Sequence, residues 1–85
     1  GAWYDQIDYI SFQEIFSKEL PNLKLLQEKL RKLGYEIEPT GANDFQSISA
    51  IRSFQLHFRP KKYDGFFDVE TAAILYALLK KYNLT

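Results

Sequence analysis

The sequence predicts an all-α protein, a compact three-helix bundle preceded by an N-terminal arm. Three observations carry that expectation. Apolar residues recur at helical spacing in three stretches, about residues 22–33, 45–58 and 69–82. Each stretch is framed by residues that start or stop helices, and no run alternates polar with apolar residues as a half-buried strand would. The connections are shorter than about ten residues, as between neighbouring helices of a bundle.

Residues 1–10 read as a linker or arm, in which Trp3 and Tyr4 are suited to pack onto something. Residues 11–19 can add one or two helical turns, because Phe12, Ile15 and Phe16 stand at i, i+3 and i+4. Leu20-Pro21 breaks them. The clearest helix follows, started by Pro21 or Asn22. Leu23, Leu26, Leu30 and Leu33 share one face, and Lys24, Glu28, Lys29, Arg31 and Lys32 take the others. Gly34 is placed to end it in a left-handed conformation, with Tyr35 folding back as its hydrophobic contact.

Residues 36–44 form a loop, and Asp44 is a side-chain cap for the second helix. The apolar face of that helix is Ile48, Ile51, Phe54 and Phe58, with Ala50 allowing close approach. Arg59-Pro60 ends it. Asp64-Gly65 marks a turn. Asp68 then caps the third helix, whose stripe is Ala72, Leu75, Leu78, Leu79 and Tyr82, with Lys80 and Lys81 at its negative C-terminal end. Residues 26–35 and 54–65 do not align as an internal repeat.

Composition narrows the function. With 85 residues the chain is one domain, and 46% hydrophobic with 16% aromatic residues is enough to fill a core. Cysteine is absent, so no disulfide, thiolate metal site or cysteine nucleophile exists. Eleven acids balance eleven bases, which argues against nucleic acid as a partner despite the basic run Arg52, Arg59, Lys61 and Lys62. No apolar run reaches the length of about 18 residues that spans a membrane, and the acidic N-terminus is not a signal peptide. A start at Gly1 rather than Met reads as a piece of a longer protein. Nothing in the sequence suggests coiled-coil association, so a monomer is expected.

The residues offer no catalytic or metal assignment. A zinc hydrolase site needs about three protein ligands, and His57 is the single histidine. Ser53 and His57 lie one helical turn apart, but a Ser–His pair also needs an orienting acid and an oxyanion hole. Asp64 to Asp68 lacks the alternating oxygen ligands that precede the glycine of a calcium loop. Asn83-Leu84-Thr85 fits the glycosylation pattern by chance at the chain end.

Several short motifs recur together. Leu26-Gln27 and Leu33-Gly34-Tyr35 come first. Ala50-Ile51-Arg52-Ser53-Phe54-Gln55 follows, then Asp64-Gly65, Asp68 and Thr71. Across about residues 22–80 this resembles the PGBD-like peptidoglycan-binding domain, a three-helix module attached to many cell-wall hydrolases. Gly1 to Asp5, Phe54 to Pro60 and Asp68 to Ala73 further resemble the C-terminal part of AmiD-type N-acetylmuramoyl-L-alanine amidases. The segment Glu36–Phe45 departs from the family pattern, with Gly41 standing alone where many members carry a GxxG-type segment and a threonine.

The resemblance implies that residues 1–10 leave an upstream zinc-dependent catalytic domain and that residues 11–85 form a wall-binding domain. It implies a periplasmic or envelope location, with zinc confined to the missing domain. Peptidoglycan asks for a shallow groove of aromatics, amides and one or two cations. Tyr35, His57, Arg59 and Tyr63 are candidates by type and by their place at helix ends or loops. Gln27 and Gln55 each follow a core residue. Each amide either bridges helices and loops or lines the groove. The competing expectation is a packing domain that covers the catalytic domain, with Trp3, Tyr4, Phe45, Phe66 and Phe67 at the interface.

Overall fold

A computed structural model describes residues 4–84, which fold into four α-helices with no strand among them. They are α1 (Gln6–Lys18), α2 (Leu23–Leu33), α3 (Phe45–Phe58) and α4 (Val69–Lys81). Asp5, Asn22, Asp44 and Asp68 are their N-caps, and each side chain accepts a hydrogen bond from a backbone N–H of the first turn. A cap of this kind stabilises a helix by about 1 kcal/mol. None of the described helices is long and apolar enough to cross a membrane.

The last three helices fall within a residue of their predicted bounds. The N-terminal segment differs. A 13-residue helix begins at Gln6, in the middle of the expected arm, because Asp5 Oδ1 accepts from Ile7 N–H at 2.7 Å and Asp8 N–H at 3.2 Å. Trp3 and Thr85 lie outside the described residues. Tyr4 does find a partner, its ring centroid standing 5.5 Å from that of Tyr9.

This extra helix changes the role of α4. Phe12 and Phe16 of α1 pack against Tyr76, with ring centroids 5.5 and 4.9 Å away. Phe16 joins Leu26, Ala72 and Ala73 in one buried cluster. The larger cluster, on the other side of α4, is Leu30, Ile37, Ile51, Phe54, Ile74, Leu75, Leu78 and Leu79. So α4 is the central helix, buried on nearly every face, rather than one that buries a single stripe. Its sequence Val-Glu-Thr-Ala-Ala-Ile-Leu-Tyr-Ala-Leu-Leu is apolar all round, the pattern of a helix with neighbours on several sides. Tyr82, assigned to the stripe, lies past the last turn and is exposed. Phe67 packs against both clusters, and Phe66 stays largely in solvent.

Two buried glutamines fasten the loops in the same way. Gln27 Oε1 accepts from Gly41 N–H at 2.7 Å, and its Nε2 donates to the Ala42 carbonyl at 3.0 Å and Ser47 Oγ at 2.9 Å. Gln55 Oε1 accepts from Gly65 N–H at 2.8 Å, and its Nε2 donates to the Phe66 carbonyl at 2.9 Å and Thr71 Oγ1 at 3.1 Å. In both cases the aspartate three residues after the glycine caps the next helix, accepting from the N–H of that same Ser47 or Thr71. The chain therefore contains a repeat after all. It is a repeat of hydrogen bonds, helix–glutamine–glycine–aspartate–hydroxyl, with loops that differ by four residues. Comparison of residues 26–35 with 54–65 misses it because only a handful of dispersed positions are shared.

Candidate functional site

The six candidate residues separate by burial. Gln27 and Gln55 are fully buried, and all their polar atoms are satisfied by the loops they hold. They act as bridges, the first of the two roles open to them from sequence. Arg59 is 7% exposed. Its Nε and Nη2 donate to the Lys62 carbonyl, and Nη1 donates to both Asp68 oxygens at 2.8 Å and to Glu70 Oε1 at 3.1 Å. Glu70 also pairs with Lys61 and receives the Tyr9 hydroxyl, so this network ties the 60–68 loop to α4 and α1.

The Arg59–Asp68 pair sets the electrostatics. Burial pushes the Asp68 carboxyl up, but hydrogen bonds from the Thr71 hydroxyl and N–H and the Arg59 guanidinium outweigh it and hold the group below the usual carboxylate range. Arg59 is shifted upward: burial works against its charge, and the bonds to Asp68 and Glu70 prevail. Asp44 is lowered as well, by the Thr40 hydroxyl first and the Ser47 N–H second. A carboxylate whose folded pKa is depressed stabilises the fold fully above its unfolded value, about 3.9, and loses that contribution as pH falls through the lower folded value. Stability in urea should accordingly be flat near neutral pH and fall below about pH 4. Asp68→Asn should weaken that slope and leave the part due to Asp44. An unchanged slope in the variant would remove Asp68 from the account.

Tyr35, His57 and Tyr63 remain at the surface, together with residues the sequence reading did not place in the site. They flank the outward face of α3, formed by Phe45, Ser49, Arg52, Ser53 and Leu56. Tyr63 lies at one end under Arg52, whose guanidinium carbon is 5.4 Å from the ring centre. Among the described residues no carboxylate lies within ion-pair distance of Arg52, while Arg31 has one and Arg59 two. His57 is exposed on the last turn, its ring edge-on to Phe58. Tyr35 lies beside the N-terminal half of α3, half-buried and edge-on to Phe54 at 5.8 Å. Burial pushes its phenol above the usual tyrosine value, so the hydroxyl stays protonated at neutral pH.

Between Tyr35 and Phe45 runs an open groove of 380 Å³, also lined by Glu36, Gln46, Ser49, Ala50 and Ser53. Its wall is pinned by Gln46, whose amide accepts from Glu38 N–H at 2.9 Å and donates to the Glu38 carbonyl at 3.0 Å. A second depression, of 720 Å³, lies where α1 meets the start of α2, but no aromatic ring lines it. Ser49 and Ser53 could have been found from sequence as the complement of the apolar face of α3, since they stand four residues apart on its opposite side.

Comparison with known proteins places this geometry. The family described as "Putative peptidoglycan binding domain" matches residues 19–75. N-acetylmuramoyl-L-alanine amidase AmiD of Escherichia coli (strain K12) is 46% identical over 58 residues, which are 68% of this chain and 21% of that protein. The crystal structure of AmpDh3 from Pseudomonas aeruginosa matches with a TM-score of 0.85 and 46% identity, over 98% of this chain and 33% of that one. AmpDh3 in complex with anhydromuramic pentapeptide matches with a TM-score of 0.84 and 47% identity, over 96% of this chain and 32% of that one. The chain thus spans about a fifth of the curated relative and a third of the solved structures.

Proposed function

The chain belongs to the peptidoglycan binding domain family, and from that premise we propose that it is a non-catalytic module holding a tethered N-acetylmuramoyl-L-alanine amidase against the bacterial cell wall. The observation that carries this reading is the outward face of α3. The polar residues of the family motifs, Gln27, Gln55, Asp68 and Thr71, are turned inward to hold loops, and what they leave displayed is a rigid surface of rings, hydroxyls and one arginine. Such a surface suits a polymer of sugars and short peptides. The relatives support the partner: one is an amidase by name, and another is solved with an anhydromuramic pentapeptide.

Tethering explains why a module without catalysis is useful. A bound wall contact makes the next cleavage intramolecular in effect, so a weak site on a repetitive polymer suffices. Hydrolysis of the amide between N-acetylmuramic acid and L-alanine, and the zinc that would activate water for it, belong in this reading to the rest of the protein. The residues here do not fit a zinc site: His57 is the single histidine, cysteine is absent, and no group of three ligating side chains converges among the described residues. The module would act as a monomer in the periplasm or elsewhere in the envelope.

Purified insoluble sacculi test the reading directly. The 85-residue chain should sediment with them, and the bound fraction should fall only modestly from low to physiological salt, because the surface is nearly neutral. Full recovery in the supernatant would sink the proposal. A second reading, a packing domain for the amidase, is favoured by the outer face of α1, where Ile7, Ile10 and Ile15 are 77%, 56% and 54% exposed. That reading predicts no sedimentation with sacculi but binding in trans to the amidase domain, weakened by Ile7→Asp.

A further inference from the structure

We infer that the groove between Tyr35 and Phe45 is a subsite for one N-acetylated hexosamine of a glycan strand. The inference rests on the wall-binding reading above and names the part of the polymer that is read. It begins with Phe45, the first residue of α3, which is 85% exposed. One exposed apolar residue is ordinary on any surface. What sets this ring apart is its company. Across the groove stands Tyr35. Along the groove stand the hydroxyls of Ser49 and Ser53, one helical turn apart and without a hydrogen-bond partner among the described residues. Ala50 adds a small side chain that lets a ligand approach the helix.

The chemistry of the lining selects the sugar over the stem peptide. A pyranose ring offers apolar C–H faces to an aromatic ring, and its rim carries hydroxyls and an acetamido group. The serines can both donate to and accept from that rim, and the Glu36 carboxylate can accept from it. The stem peptide carries several carboxylates. No cation lines the groove, and its single charge, Glu36, repels them; Arg31 enters only the adjoining depression, where Glu38 pairs with it at 3.6 Å. Size agrees: 380 Å³ lies near the small end of ligand sites, which run from about 300 to 1,000 Å³, and suits one sugar residue, while the adjoining depression of 490 Å³, which shares Tyr35, Glu36 and Gln46, leaves room for the strand to continue.

The groove is also preformed. Tyr35 is fixed against Phe54, and Gln46 clasps both backbone polar groups of Glu38, so little ordering is left for binding to impose. Arg52, seven residues beyond Phe45 and about 10 Å along the helix, lies outside the groove on the same face.

The test titrates the isotopically labelled chain with chitotetraose, an uncharged N-acetylglucosamine tetramer, and separately with a stem tetrapeptide, while sedimentation with sacculi compares wild type and variants. Chitotetraose should shift the amide resonances of Tyr35 and of residues 45–53, and the peptide should leave them in place. Phe45→Ala should weaken retention on sacculi about tenfold, and Ser49→Ala with Ser53→Ala about threefold, both at unchanged melting temperature because these side chains face solvent. Wild-type retention that Phe45→Ala does not alter, or shifts that cluster elsewhere or follow the peptide, would overturn the subsite and leave the module intact. Absence of wild-type sedimentation would remove both. Phe45→Tyr, which keeps the ring, should retain binding.

Discussion

Gln55→Ala should lower the unfolding free energy of this chain by about 3 kcal/mol, read as a shift of the urea midpoint at constant m-value. Truncation strands the Gly65 N–H and the Phe66 carbonyl and removes the donor to the Thr71 hydroxyl, which keeps Asp68 as its acceptor. Gly65 and Thr71 are buried, so water cannot readily take the place of the amide, and an orphaned buried polar group costs about 1–3 kcal/mol. Gln27→Ala removes an equivalent set of bonds but should cost less, about 1–2 kcal/mol, because Gly41 and Ala42 sit in an exposed loop that water reaches. Equal costs at the two positions would mean that solvent access is not what separates them. The consequence for function is direct. Domains of this size are stable by roughly 5 kcal/mol, so Gln55→Ala leaves little in reserve. Loss of wall retention in that variant reports the fold, not a contact with glycan.

The legible parts of this structure are those whose causes are local. The last three helices could be read because caps, stops and one-faced periodicity lie within each segment. Of the first helix only the turns from residue 11 could be read, and its start at Gln6 could not, because its apolar residues point two ways: Tyr9, Phe12 and Phe16 pack inward, while Ile7, Ile10 and Ile15 face solvent, and the sum shows no clean face. The all-round burial of α4 follows from the packing of that helix on it through Phe12 and Phe16, which no local pattern encodes. In the candidate site, the bridging role of Gln27 and Gln55 was open to sequence reasoning, since an amide beside a core residue has few other uses. The role of Arg59 was not. Its carboxylates stand nine and eleven residues on, and only the closure of the 60–68 loop brings them together. Phe45 could be named as exposed. That Tyr35, Gln46 and two helical serines make a groove around it depends on how α2 and the 36–44 loop lie against α3, which no local pattern encodes.

Gly65→Ala should be still more damaging, at about 4 kcal/mol, and the comparison with Gly34→Ala shows why. Both glycines have positive φ, +84° at Gly65 and +116° at Gly34, so any L-residue pays a backbone cost of about 1–2 kcal/mol at either place. The positions differ in what a methyl group would meet. At Gly34 nothing lies within 4 Å. At Gly65 an added Cβ would stand 2.6 Å from Ile48 Cγ2 and 2.9 Å from the Ile48 carbonyl oxygen. The Cγ2 methyl hangs directly from Cβ of a β-branched helical residue that strongly prefers one rotamer, and the oxygen belongs to the backbone of α3, so neither gives way easily. The loop must then move, and its movement pulls the Gly65 N–H from Gln55, which holds it at 2.8 Å. Backbone strain, a steric contact and a broken fastener thus coincide at one residue. Gly34→Ala should lose only the first, about 1–2 kcal/mol, and keep its full retention on sacculi. Urea midpoints of the two variants decide the matter: a wide gap assigns the glycine to close approach between loop and helix, whereas matching midpoints would leave the left-handed backbone as the whole reason for it.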